Sequence, residues 1–171
     1  MHIHIPDLEK RVDYFQALAD EADRDGVADS NLYEKLGAET GESAEAIERE
    51  IYDAIRLHQD VLGIMKRLHA HYKVGVLTNA DSDEIERIVR HYSLKGYFDG
   101  LVVSSAVGLI KPEPEIFELA CRRLDVQPEE TMFIDDRQVN VDGADRAGLN
   151  GILFRDAQTL ERELQDRGIL A

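Results

Sequence analysis

The chain has 171 residues, 43% of them apolar, which suits one domain, or one domain with a small insertion, around a buried core. It carries 35 Asp and Glu against 20 Lys and Arg, a formal net of −15 that excludes a basic nucleic-acid binder and an anionic membrane surface as partners. Cys121 is the only cysteine, so no intrachain disulfide exists; with no apolar run of leader or membrane-span length, the expected location is cytoplasmic.

In chain order, "HIHI" at residues 2–5 alternates like a short strand and runs into Pro6 and Asp7. The residues to about 57 are charged and helical in period, with Ile47, Ile51, Ala54 and Ile55 on one helical face. The "DRDG" turn at Asp23–Gly26 and the Gly37–Gly41 region are expected to break this stretch into about three helices. From residue 58 the texture changes. Val61, Ile64, Met65 and Leu68 mark an amphipathic helix, and "KVGVL" at 73–77 reads as a short buried strand. Asp81 is placed to cap the next helix, with Glu84 as its capping-box partner. "GLVVSS" at 100–105 is a second strand, and "PEPEIFELACRRL" opens a helix with proline in its first turn. Cys121, within that helix, reads as a small buried hydrophobe. "TMFI" at 131–134 is a third strand, followed by a helix to about Ala147 and then Gly148, where a helix-ending glycine belongs. "GILF" at 151–154 is a fourth strand, and 157–166 is a closing helix.

Strands alternating with helices of this length predict an α/β fold, a Rossmann-like parallel sheet with helices on both faces. Ligands in such folds sit at the carboxyl ends of the strands, and three of these ends carry polar chemistry. The first ends in Thr78 and Asn79, whose hydroxyl and amide can bind an oxyanion or merely close the turn. The second leads to Lys111, just before a helix start. That is the wrong charge for the helix dipole, so either an anion or the next carboxylates hold it, or it is a solvated lysine. The third ends in Asp135 and Asp136. Two adjacent carboxylates suit a hard cation such as Mg²⁺, whereas helix capping accounts for one aspartate better than for two. Hydroxyl, ammonium and paired carboxylates at neighbouring strand ends together describe a phosphate site.

The order and wording of these motifs resemble the haloacid dehalogenase (HAD) superfamily, in its phosphatase-like branch with a helical cap. "VGVLTNA" is similar to the family's second motif, "GLIKPEPEIFELA" to its third and "MFIDDRQVNVDGADRAGLNGILF" to its fourth. The resemblance implies a Mg²⁺-dependent phosphomonoester hydrolase acting on a small phosphorylated metabolite or other anion. It implies Thr78 and Lys111 as catalytic residues that bind the phosphoryl oxygens, with Asn79 beside them. It also implies Asp135 as the metal ligand and Asp136 as its helper. On this reading residues 1–57 form the helical cap region and residues 58–171 the HAD-like core.

One departure stands out. The family's nucleophile is the first aspartate of an Asp-x-Asp motif at the end of a central strand, and no such run precedes the cap here. Asp7 and Glu9 have the right separation, but Pro6 replaces the last strand residue. Activity is therefore expected to be impaired or absent, and the alternative is a non-catalytic HAD-like module that keeps Mg²⁺ and anion binding. A receiver domain shares these residue types, but its acidic pair comes before its lysine, so the order excludes it. The empty central position is expected to be filled by residues 2–5, or by a homodimer or strand-donating partner. His2 and His4 read as part of that strand rather than as metal ligands. Asp142 and Asp145 read as helix-surface residues, Asp142 being near enough to the acidic motif to support it.

Overall fold

The computed structural model describes residues 32–54 and 57–171. His2, His4, Asp7, Glu9 and the Asp23–Gly26 turn lie outside the described residues. The chain divides into two units, residues 1–57 and 58–171.

In the first unit, helix α1 (Leu32–Thr40) packs on helix α2 (Ala44–Ala54). Leu36 and Ile47 are buried, at 5% and 6% exposure. The break expected around Gly37–Gly41 falls at its far end. Gly37 stays helical, and the chain turns at Gly41, whose φ of 81° suits glycine.

The second unit alternates helix and strand. Its elements are α3 (Gln59–His69), β1 (Gly75–Thr78), α4 (Ser82–His91), β2 (Gly100–Val103), the single turn α5 (Ser104–Val107), α6 (Pro114–Leu124), β3 (Met132–Asp135), α7 (Gln138–Arg146), β4 (Asn150–Leu153) and α8 (Ala157–Asp166). The strand expected to reach Ser105 stops at Val103. Ser104 and Ser105 instead begin α5, where their hydroxyls bond the loop after β1. Asp81 caps α4 as expected, its side chain accepting from the Asp83 and Glu84 N–H groups. Pro114 occupies the first turn of α6, and Gly148 follows α7 with φ 87°.

The strands pair in parallel, β1 with β2 and β3 with β4, with Thr78 opposite Val103 and Asp135 opposite Leu153. Among the described residues no ladder joins β1 to β3. One helical layer nevertheless spans both pairs. Leu77 and Val102 of one pair, and Phe133 of the other, pack with Ile116, Phe117 and Cys121 of α6 and Ala144 of α7. Phe117 meets Phe133 edge to face, with centroids 5.0 Å apart. Side chains alternate along a strand, so Met132 and Ile134 point the other way, against Ile64 of α3 and Leu160 and Leu164 of α8. The result is an α/β sandwich of parallel strands between two helical layers.

Burial is unevenly shared. Val102, Val103 and Ile152, on β2 and β4, are buried, whereas every residue of β1 and β3 keeps some exposure. β1 and β3 are thus the less covered strand of each pair. At the opposite end from the site, Gly75 and Gly100 lie opposite one another beneath Leu124. A Cβ on either would come within 2.6 or 2.9 Å of the Leu124 side chain.

Candidate active site

β1 ends in Thr78 and β3 ends in Asp135. Lys111, from the loop before α6, reaches between them. Its ammonium donates to Asp135 Oδ2 at 2.7 Å and to the Leu77 carbonyl at 3.1 Å, and lies 5.6 Å from the centre of the Phe133 ring. The lysine and aspartate side chains are only 10% and 7% exposed. A lysine ahead of a helix N-terminus is thus accounted for by the carboxylate it faces.

Asp135 is held from three directions. Besides Lys111, its Oδ1 accepts from the Arg137 N–H and the Asn140 side-chain amide, each at 2.9 Å. Burial alone would raise its pKa. The bonds from Lys111, Asn140 and Arg137 outweigh burial and hold the carboxyl below its ordinary range. Asp135 is therefore ionised and fixed in orientation.

The remaining expected residues fall in different places. Asn79 turns both ends of its amide toward the main chain of Lys111. Its Oδ1 accepts from the Lys111 N–H at 2.9 Å and its Nδ2 donates to the Lys111 carbonyl at 3.1 Å. The Thr78 side chain, partly exposed at the strand end, is left without a hydrogen bond among the described residues. Asp136 is exposed, beside Asp135. Asp142 accepts from Gln138 on the exposed face of α7, and Asp145 Oδ1 accepts from the Gly151 N–H, tying that helix to β4. Cys121 is buried, with Thr131 its neighbour at 3.8 Å.

Two contributors are absent from the sequence expectations. Asn140, 3% exposed, orients Asp135. Ser104 Oγ accepts from the Ala80 N–H at 3.1 Å and donates to its carbonyl at 3.3 Å, pinning the loop after Thr78 and Asn79. Asn140 has a sequence signal, an amide one helical turn past an acidic pair. Ser104 has none, because it sits inside what reads as a strand.

The metal question turns on the donor set. Among the described residues no cluster of three or more His, Cys, Asp or Glu could hold an ion. Two adjacent carboxylates, one fixed and one exposed, match the sparse protein contribution typical of Mg²⁺, which keeps several waters and a substrate phosphate.

A model of the haloacid dehalogenase-like hydrolases matches residues 5–148. The chain belongs to this family. Its curated relatives include the fructose-1-phosphate phosphatase YqaB of Escherichia coli. The two are 27% identical over 114 residues, covering 67% of this chain and 60% of YqaB. A glyceraldehyde 3-phosphate phosphatase of Methanopyrus kandleri is 30% identical over 112 residues, covering 64% of this chain and 48% of that enzyme. The chain thus spans between about half and three fifths of the length of these relatives. A HAD family enzyme of Bacteroides thetaiotaomicron, solved as a magnesium complex, shares the fold. Its TM-score is 0.66 at 19% identity, over 94% of this chain and 92% of that one. No helix among the described residues of this HAD family member is long and apolar enough to cross a membrane.

Proposed function

We propose that this HAD family member recognises the phosphate group of a small phosphorylated metabolite at the carboxyl ends of β1 and β3, as a phosphomonoester hydrolase of the Mg²⁺-dependent type. The observation that carries this reading is the buried Lys111–Asp135 pair near the strand end that carries Thr78, whose hydroxyl has no hydrogen bond among the described residues. A fixed ammonium and a hydroxyl near the strand ends are complementary to phosphoryl oxygens. The names of two curated relatives, both phosphatases of small phosphorylated compounds, support the substrate class. Asp135 and Asp136 would hold Mg²⁺, which when bound neutralises phosphoryl charge. Lys111 has two tasks here: it fixes Asp135 and presents positive charge to the ester. Thr78 donates to one phosphoryl oxygen, and Asn79 and Ser104 keep these groups in register. The acidic, single-cysteine chain fits a cytoplasmic enzyme.

A second reading is favoured by one specific observation. Hydrolysis through a covalent intermediate needs a nucleophilic carboxylate. Among the described residues the strand ends offer Asp81, engaged in capping α4, and the Asp135–Asp136 pair. Asp7 lies outside the described residues. A module that binds Mg²⁺ and phosphate without turnover is therefore the alternative.

Hydrolysis of an aryl phosphate with and without Mg²⁺, beside Asp135→Asn, separates the two. Turnover that needs both Mg²⁺ and Asp135 supports the hydrolase. Phosphate binding without turnover supports the non-catalytic module.

A further inference from the structure

Gly143 stands in the middle of α7, a position where glycine is the poorest helix former other than proline. It is buried, and the space beside it is taken. A Cβ at 143 would lie 2.6 Å from Pro112 Cβ, 2.8 Å from the Pro112 carbonyl oxygen and 3.1 Å from Pro112 Cα. These are ring and main-chain atoms, which cannot swing aside as the end of a long side chain can. Pro112 directly follows Lys111. Asn140, three residues before Gly143, lies on the same helical face and bonds Asp135. One face of α7 thus touches Asp135 directly, through Asn140, and meets Pro112, the residue after Lys111, at Gly143. On the other side, Asn79 holds the N–H and carbonyl of Lys111. The lysine main chain is clamped between β1 and α7, and its ammonium is left to reach Leu77 O and Asp135 Oδ2.

We propose that Gly143 is a positioning residue for Lys111: its missing side chain lets α7 seat on Pro112, and that seating sets where the ammonium meets Asp135 and a bound phosphate. The proposal rests on the phosphate reading of the site and adds a determinant of its geometry outside the strand ends.

The test compares wild type, Gly143→Ala and Gly75→Ala in the full chain, by crystal structure and by titration of inorganic phosphate in the presence of Mg²⁺. Gly75→Ala is the structural control, because it crowds the Leu124 side chain at the opposite end of β1. In Gly143→Ala the Lys111 ammonium is expected to leave hydrogen-bond range of Asp135, beyond about 3.5 Å. Phosphate affinity is expected to fall about tenfold or more, as small misplacements of a binding group do. Gly75→Ala should leave both unchanged. A Gly143→Ala protein that keeps the Lys111–Asp135 contact and binds phosphate like wild type overturns the proposal. If Gly143→Ala does not fold, Pro112→Gly decides from the other side, since it removes the ring carbon nearest the missing Cβ. Weakened phosphate binding at an unchanged melting temperature supports the proposal, and unchanged binding overturns it. If wild type binds no phosphate, the phosphate reading fails, and the displacement of Lys111 alone still decides the role of Gly143.

Discussion

Asn140 donates its side-chain amide to Asp135 Oδ1 at 2.9 Å from within a helix face that is otherwise apolar or glycine. A buried amide is stable only when bonded, and this one fixes a carboxylate. Asn140→Ala is expected to cost about 2 kcal/mol in urea unfolding, the range for losing a hydrogen bond to a charged group. Asn140→Asp should cost more, because it sets a second carboxylate against Asp135. Equal stability for all three proteins would remove Asn140 from the account.

Lys111 neutralises Asp135 inside a low-dielectric site. Lys111→Met keeps the length of the side chain and removes its charge. The variant is expected to lose about 3 kcal/mol of stability, as when one partner of a buried pair is removed. Chemical denaturation at neutral pH measures this, and a loss below about 0.5 kcal/mol, the level of an ordinary surface change, would contradict it.

Thr78 offers a hydroxyl unbonded among the described residues. Thr78→Val is isosteric and is expected to change stability by less than about 0.5 kcal/mol while weakening phosphate binding. The separation of the two effects is the point. A variant that unfolds more easily yet binds phosphate normally would assign the hydroxyl to structure.

Asp99 is one source of acid sensitivity in the second unit, alongside Asp135. Its carboxylate accepts from the Val74 N–H at 2.8 Å and meets His69 Nε2 at 3.1 Å. The Val74 bond first, and then His69, hold its pKa below the ordinary value. A depressed carboxyl contributes stability above the unfolded-state pKa, near about 3.9, and loses it as pH falls through the folded value. Asp99→Asn should therefore flatten the acid limb of the stability curve relative to wild type below about pH 4. Superimposable acid limbs would count against this.

Much of this arrangement is legible in the sequence because it is local. Short apolar runs give the four strands to within a residue or two, and Asp81 and Pro114 announce their helix starts. Ser104 and Ser105 extend an apolar run, and what ends β2 there is their bonding to Ala80 and Ser82, more than twenty residues away in sequence. Gly37 looks like a breaker and remains helical, because the turn that follows uses Gly41. The clamp of Asn79 on Lys111 spans 32 residues and leaves no periodic trace. Residue types at strand ends can be read from order alone, whereas the partners of each side chain depend on packing.

The unpaired edges of β1 and β3 follow directly from the strand pattern. Among the described residues each strand pairs on one side only, so a row of backbone groups on its other edge, facing the space beside it, has no ladder partner. We expect a strand supplied from outside residues 58–171 to fill that space. Hydrogen exchange should then show protection on both edges of Gly75–Thr78 and Met132–Asp135. A monodisperse monomer with fast exchange along the unpaired edges would contradict this.

The proposed phosphate site stands on Lys111 and Asp135 together. Its most direct test is calorimetric titration of inorganic phosphate into wild type and Lys111→Met, with Mg²⁺ present. The account predicts saturable binding at one site in wild type and its loss in the variant. No saturable binding in wild type, or equal binding in both, would contradict it.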